Sequence, residues 1–351
     1  MGKNVKILVI GKEGRLAQYA PKWAQMEDYD ISYVPMGSPD DVAIDAGKDA
    51  DFILADAMAK VSENLIANMP KLKMIHSEGV GFNFFDIEAA RERHIYVCNC
   101  KAANAGAVAE QTLLLMLGLL RDVVNGDAQF RKGGQISTKE NYMINGSLRE
   151  LRECTVGLLG FGDIAQATAR MLQAFGARVI YHNRTRRQEL ESELKVTYVS
   201  QNELLSQSDI ISIHLNSNEE TYHTVNEKFL MSMKKGAYLI NTSRGDLVDS
   251  EALIGAIESG HIAGAGLDTV SGEPVGLDNL LLTAPDEVKN KIIFSCHIGG
   301  ITGGAFRRCH EMFWENVKRM ERGEMPERVV SLQTRAGFSE DPGRDSPLPT
   351  A

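Results

Sequence analysis

The stretch Gly157-Leu158-Leu159-Gly160-Phe161-Gly162 constrains the fold of this chain more than any other. It closes an apolar run over 155–159 and opens a helical pattern over 163–175. A strand, a glycine turn and a helix in succession make a place for a dinucleotide. Gly160 and Gly162 permit the tight turn and the close approach of a pyrophosphate. The amides of Asp163 and Ile164 then begin a helix whose N-terminus attracts anions. Ala165 stands at the third position of the pattern, where a small residue keeps helix and strand close.

Apolar runs alternate with helical patterns on both sides of this turn. Upstream, strands are predicted at 5–10, 31–34, 52–55, 73–76 and 95–98, with a helix over 16–26 and a long one over 105–121. Downstream, strands are predicted at 155–159, 178–182, 209–215, 237–242, 262–267 and 292–295. Helices are predicted over 250–259, with Ser250 as N-cap and Gly260 just past the end, and over 305–322. The segment 130–152 reads as polar and irregular, with Gly133-Gly134 and Asn145-Gly146 as turn signals. Strands separated by helices at this spacing predict an α/β chain with doubly wound parallel sheets covered on both faces.

Composition sets the limits. The 351 residues suffice for two domains of ordinary size. Hydrophobic residues at 43% and charged residues at 24% are normal for a soluble globular protein. A net charge of -9 argues against a nucleic-acid partner. The longest apolar run, 113–120, is far short of the roughly 20 residues that cross a bilayer. The N-terminus has no signal-peptide pattern. Five cysteines at irregular spacing argue for a reducing, cytoplasmic compartment. Cys98 and Cys100 lack a second pair and read as buried strand thiols, so no metal is expected. The tail 336–351 is rich in Gly, Pro, Ser and Asp and is expected to be disordered.

Three residues, each at the end of an apolar run, carry the chemistry. Arg244 lies in Asn241-Thr242-Ser243-Arg244-Gly245, Glu273 in Asp268-Thr269-Val270-Ser271-Gly272-Glu273-Pro274, and His297 in Cys296-His297-Ile298-Gly299-Gly300. The planar fork of an arginine can hold a carboxylate and the neighbouring ketone of a 2-keto acid together. Hydride delivered to the carbon requires a proton on the oxygen. A histidine titrates near neutrality and suits that role, and a nearby carboxylate stabilises the protonated ring. His214, at another strand end, reads as structural or cofactor-adjacent.

The strand over 178–182 is followed by Asn183-Arg184-Thr185-Arg186-Arg187. An NAD site usually places an acid here to hold the ribose hydroxyls. Three arginines and no acid favour NADPH over NADH, with Arg184 pairing with the extra phosphate. The plainer reading makes them a solvated helix start.

With these motifs in hand, the chain resembles the D-isomer-specific 2-hydroxyacid dehydrogenases over about residues 50–330. Glyoxylate/hydroxypyruvate reductases and phosphoglycerate dehydrogenases are among that family. The resemblance implies that Arg244, Glu273 and His297 form the catalytic triad and that Asp268 holds the nicotinamide carboxamide. It implies that the backbone amides of Gly79-Val80-Gly81, at Val80 and Gly81, grip the substrate carboxylate. Asn183, Arg184, Thr185, Thr242, Ser243 and Gly300 join the glycine turn as expected cofactor contacts. The run Asn104-Ala105-Gly106-Ala107-Val108-Ala109-Glu110 resembles the family's entry to its second domain. The helix there packs across a two-fold axis, which implies a homodimer.

The implied architecture is a Rossmann cofactor domain, 102–299, inserted into a flavodoxin-like substrate domain made of 1–101 and 300–335, with the active site in a cleft that closes over substrate. The sequence departs from the family's common pattern at Lys101 and Ala102, at Asn216 and Asn218, and at Cys296. Phe82, Asn83 and Phe84 hint at aromatic walls beside the carboxylate loop. Two functions stay open. One is an NAD(P)H-dependent reductase that turns a small 2-keto acid into the D-2-hydroxy acid. The other is a cofactor-sensing binding protein of the corepressor type.

Overall fold

The computed structural model describes residues 5–331. These divide into two compact units, one made of 5–104 and 301–331 and the other of 105–300. The expected disordered tail, 336–351, lies outside the described residues.

In the first unit, five strands form a wholly parallel sheet: β1 (Lys6–Ile10), β2 (Asp30–Val34), β3 (Phe52–Ala55), β4 (Met74–Ser77) and β5 (Tyr96–Cys98). Their order, β2-β1-β3-β4-β5, is that of a flavodoxin-like doubly wound sheet. β3 and β4 are buried at every residue, as expected of strands covered on both faces. Phe313, Trp314 and Val317 of the Gly303–Glu321 helix cover one face beside Leu16. Leu65, Ile66, Met69 and Ala90 cover the other.

The helix expected over 16–26 is shorter. It spans Arg15–Tyr19 and gives way to 3-10 turns at Lys22–Ala24 and Met26–Asp28. Pro21 is the reason. It lacks an N–H and pushes Ala20 to an extended ψ of 134°.

Seven parallel strands make up the sheet of the second unit: β6 (Thr155–Leu159), β7 (Arg178–His182), β8 (Thr197–Tyr198), β9 (Ile210–Ile213), β10 (Ala237–Asn241), β11 (Ile262–Leu267) and β12 (Ile292–Phe294). The order β12-β11-β10-β9-β6-β7-β8 reverses direction between β6 and β9, as in a Rossmann sheet. The fold class is therefore the expected one. β8, only two residues long, was too short to leave a pattern in the sequence.

The Ala105–Leu120 helix is apolar on nearly every side and lies against this sheet. A methyl group at Gly266 of β11 would sit 2.8 Å from Leu115 Cβ, so only glycine lets helix and strand approach this closely. The Asp163–Ala174 helix buries Ala165, Thr168, Ala169 and Leu172, one stripe at helical spacing.

Two further expectations are corrected. The segment read as irregular over 130–152 contains the helix Gln135–Asn145 and the end of the helix Val123–Arg131. Neither helix buries a residue of its own, so neither shows the apolar stripe facing a core that marks a helix in a sequence. The glycine signals were real, since Gly133 and Gly146 adopt φ of 79° and 58° at the helix ends. The cap of the Ser250–Glu258 helix is Asp249 rather than Ser250. Its Oδ1 accepts from the N–H groups of Glu251 and Ala252, both at 3.1 Å.

Candidate active site

In the 105–300 unit, the C-terminal ends of β6, β7, β9, β10 and β11 carry most of the expected residues, and the segment after β12 carries the rest. After β6, Gly160 adopts φ 92°, and a methyl group there would meet the His214 carbonyl oxygen at 2.4 Å. Gly162 differs. It stands at the N-cap with no side-chain hydrogen bond to the helix, and a methyl group there would meet nothing within 4 Å. The turn thus leaves open space beside Gly162, next to the first-turn amides of Asp163 and Ile164, and amides at a helix N-terminus attract anions.

At the end of β7, Asn183 Nδ2 donates to the Thr185 carbonyl at 2.8 Å and shapes the turn. The guanidinium of Arg186 makes two 2.7 Å hydrogen bonds to Glu191 and lies over the Tyr198 ring. Arg184 extends into solvent, 3.7 Å from the equally exposed Glu220. After β9, His214 is half-buried. Its Nε2 lies 3.0 Å from Ser212 Oγ, and its Nδ1 has no partner among the described residues. Burial pushes its pKa down to about 3, so its ring is neutral at ordinary pH.

The β10 end is a tied loop. Asn241 Nδ2 donates to the Arg244 carbonyl at 2.8 Å, and Asn241 Oδ1 accepts from the Ser243 N–H at 3.0 Å. Ser243 Oγ donates to the Ile213 carbonyl, and Thr242 Oγ1 meets Thr112 Oγ1 at 2.9 Å. Arg244 Nη1 donates to the Ser243 carbonyl at 2.8 Å. Burial lowers the Arg244 pKa, and the negative charge of Glu273 opposes that shift. A methyl group at Gly245 would fall 1.9 Å from the Val270 carbonyl carbon, so the Arg244 and Glu273 loops are in direct contact.

Glu273 and His297 meet. Glu273 Oε2 lies 2.6 Å from His297 Nδ1, while Oε1 accepts from the Val270 N–H at 3.0 Å. Burial alone would raise the pKa of Glu273. The hydrogen bonds from His297 and Val270, with the charges of His297 and Arg244, outweigh it and hold the carboxyl below its ordinary value. The His297 side chain is 40% exposed, and its Nε2 has no partner among the described residues. His297 adopts φ 54°, a left-handed conformation that a non-glycine residue holds only where its surroundings impose it.

Asp268 imposes it. Its backbone carbonyl accepts from the His297 N–H at 2.9 Å. Its Oδ1 accepts from the Ile298 N–H at 3.0 Å and from Ser295 Oγ at 2.5 Å, and its Oδ2 from the Gly299 N–H at 2.9 Å. Gln111 Nε2 in turn donates to Ser295 Oγ. Sequence reasoning missed Ser295 and Gln111, and their positions carry no signal that sets them apart. Gly300 follows, half-buried.

Val80 and Gly81 belong to the other unit. Their loop turns its carbonyls inward: those of Gly79, Val80 and Gly81 accept from Cys100 N, Asn99 Nδ2 and Ser77 Oγ at 2.8, 2.8 and 2.6 Å. The N–H groups of Val80 and Gly81 donate to no acceptor among the described residues. Nearby, Phe82 packs against the core, whereas Phe84 is half exposed.

Residues 113–299 match the family model described as D-isomer specific 2-hydroxyacid dehydrogenase, NAD binding domain. A glyoxylate reductase of Thermococcus litoralis is 37% identical over 300 residues, covering 85% of this chain and 88% of that protein. The chain belongs to the D-isomer specific 2-hydroxyacid dehydrogenase family.

Solved structures agree with the assignment. D-2-hydroxyisocaproate dehydrogenase superposes with a TM-score of 0.80 at 27% identity, covering 93% of this chain and all of that one. The NAD complexed form of a D-isomer specific 2-hydroxyacid dehydrogenase from Lactobacillus delbrueckii ssp. bulgaricus gives 0.77 at 27%, with the same coverage. As a member of this family the chain is an oxidoreductase, and its 105–300 unit carries the family's NAD-binding domain. No helix among the described residues is long and apolar enough to cross a membrane. No cluster of His, Cys, Asp and Glu that could hold a metal occurs among the described residues.

Proposed function

We propose that this 2-hydroxyacid dehydrogenase reduces a small 2-keto acid of the glyoxylate or hydroxypyruvate kind to the D-2-hydroxy acid. One observation carries the reading: His297 Nδ1 is held by Glu273 at 2.6 Å while Nε2 stays unpartnered. The bound nicotinamide supplies hydride. His297 Nε2 gives the proton to the carbonyl oxygen, and Glu273 fixes the ring through Nδ1 and balances its charge. Arg244 clamps the substrate carboxylate and polarises the ketone, and burial strengthens that attraction. The free N–H groups of Val80 and Gly81, in the first unit, are suited to a carboxylate.

On this reading Asp268 is the carboxamide partner. Its Oδ2 accepts from Gly299 alone and has a lone pair to spare. Gly160, Gly162, Asp163 and Ile164 hold the pyrophosphate, and Asn183, Arg184, Thr185, Thr242, Ser243 and Gly300 complete the cofactor contacts.

Arg184, exposed and without an acid of the ribose-binding kind beside it in sequence, supports NADPH as the preferred cofactor. Glu220 and the NAD complex of the relative weigh on the other side. Exposed Val123, Val124, Phe130, Ile136, Met143 and Ile144 on the two peripheral helices support a homodimer that covers them. Five free cysteines suit a reducing cytoplasm. No feature of the described residues favours the cofactor-sensing alternative.

The deciding experiment is steady-state oxidation of NADPH and of NADH with a panel of 2-keto acids. Turnover of glyoxylate or hydroxypyruvate is expected. Tight cofactor binding with no acid turned over would overturn the reading.

A further inference from the structure

A charged cluster lies at the C-terminal edge of the five-stranded sheet, apart from the Arg244–Glu273–His297 group. Glu78 follows β4 directly, and its side chain is only 5% exposed. One carboxylate oxygen is paired with the guanidinium of Arg15, and the other lies 2.7 Å from Nε2 of the fully buried His310. The same guanidinium reaches Asp56 Oδ2 at 2.7 Å and sits over the Phe306 ring. Tyr19 stacks on that ring and tilts against His310. Four segments meet here: the Arg15–Tyr19 helix, the residue after β3, the residue after β4, and the Gly303–Glu321 helix.

Stability does not account for such a cluster. Burying a carboxylate is unfavourable unless it is fully paired, and a buried ion pair is often no more stable than apolar packing of the same shape. Nor is Arg15 an anion clamp, because two carboxylates already neutralise it. What the cluster does fix is the backbone at Glu78. The next three residues are Gly79, Val80 and Gly81, whose carbonyls are all tied inward and whose last two N–H groups face no protein acceptor. The Val80 and Gly81 N–H groups share peptide planes with the tied carbonyls of Gly79 and Val80, so they point away from those ties. The anchor at Glu78 sets the strand end from which these planes start.

We propose that Arg15, Glu78 and His310 are positioning residues that hold the Val80 and Gly81 amides in register for a substrate carboxylate. The inference rests on reading that loop as a carboxylate grip.

The test uses the full chain with a 2-keto acid and its methyl ester as paired substrates. Glu78→Gln keeps the shape but turns an amide donor toward Arg15 or His310. KM for the acid should rise by roughly tenfold or more, the loss of about one good hydrogen bond to the carboxylate. KM for the ester, kcat and the cofactor Kd should stay close to wild type. His310→Leu should act likewise, and His310→Gln, which keeps a donor for Glu78, should restore the acid KM.

Should wild type itself show no preference for the acid over the ester, the carboxylate-grip reading fails and takes this inference with it. If wild type prefers the acid, but the variants keep its KM and lose only kcat or Tm, the cluster is structural and the proposal is wrong. If Glu78→Gln does not fold, the His310 pair decides: equal acid KM in the Leu and Gln variants overturns the proposal.

Discussion

His297 and Glu273 are joined by a 2.6 Å hydrogen bond across 24 residues of chain, and it engages only one nitrogen of the ring. The free Nε2 is the atom that can give a proton to substrate. His297→Ala should therefore lower kcat by roughly 100-fold or more, measured at saturating cofactor. Glu273→Gln keeps an acceptor for Nδ1 but not its charge, and should cause a smaller loss. Near-normal turnover in His297→Ala would remove the proton-donor role.

Asp268 binds three consecutive backbone N–H groups, those of His297, Ile298 and Gly299, two of them through its carboxylate. Asp268→Ala should leave two backbone donors unmatched, the buried one of Gly299 and that of Ile298, and release the left-handed turn at His297. A drop of several degrees in Tm is expected without any cofactor present. A residue that served only the carboxamide would change cofactor affinity and leave the apoprotein Tm alone.

Gly160 and Gly162 should respond differently to the same added methyl. Gly160→Ala places Cβ against the His214 carbonyl at a positive φ and should lower Tm as well as cofactor affinity. Gly162→Ala meets no protein atom within 4 Å, so Tm should hold while cofactor Kd rises. Thermal melts and fluorescence titration of the two variants distinguish these effects.

The arginines after β7 should separate too. Arg184→Ala should weaken NADPH more than NADH, read as the ratio of the two Kd values. Arg186 is already taken up by Glu191 and Tyr198, so Arg186→Ala should leave that ratio unchanged. Equal losses of both cofactors in Arg184→Ala would remove the case for NADPH.

Acid should destabilise the first unit through His76. This ring is fully buried, and burial pushes its pKa down to about 4 from 6.5. Between those values the unfolded chain takes up a proton that the fold excludes. Stability is therefore unaffected above about pH 6.5 and falls as pH drops toward 4, by on the order of 3 kcal/mol at the end of the window. His76→Gln should flatten the fall of Tm between pH 7 and pH 5. An unchanged slope would mean that His76 does not govern it.

What the sequence revealed followed from burial. Strands covered on both faces, such as β3 and β11, stand out as unbroken apolar runs bounded by polar residues, and their limits are the expected ones. The helices Val123–Arg131 and Gln135–Asn145 were hidden because they turn no stripe toward a core. Arg244, Glu273 and His297 were visible as polar residues at strand ends. The service of Asp268 to its own chain was not, because it depends on which way three N–H groups point after a left-handed turn. The Arg15–Glu78–His310 cluster was equally hidden, since its members are scattered from 15 to 310 and each looks like an ordinary helix or loop residue.

Arg244, Glu273 and His297 all arise from the 105–300 unit, whereas Val80 and Gly81 arise from the other. On the proposed reading, a substitution around residue 80 alters how the acid is held, whereas the Glu273–His297 contact that serves proton delivery is left as it is.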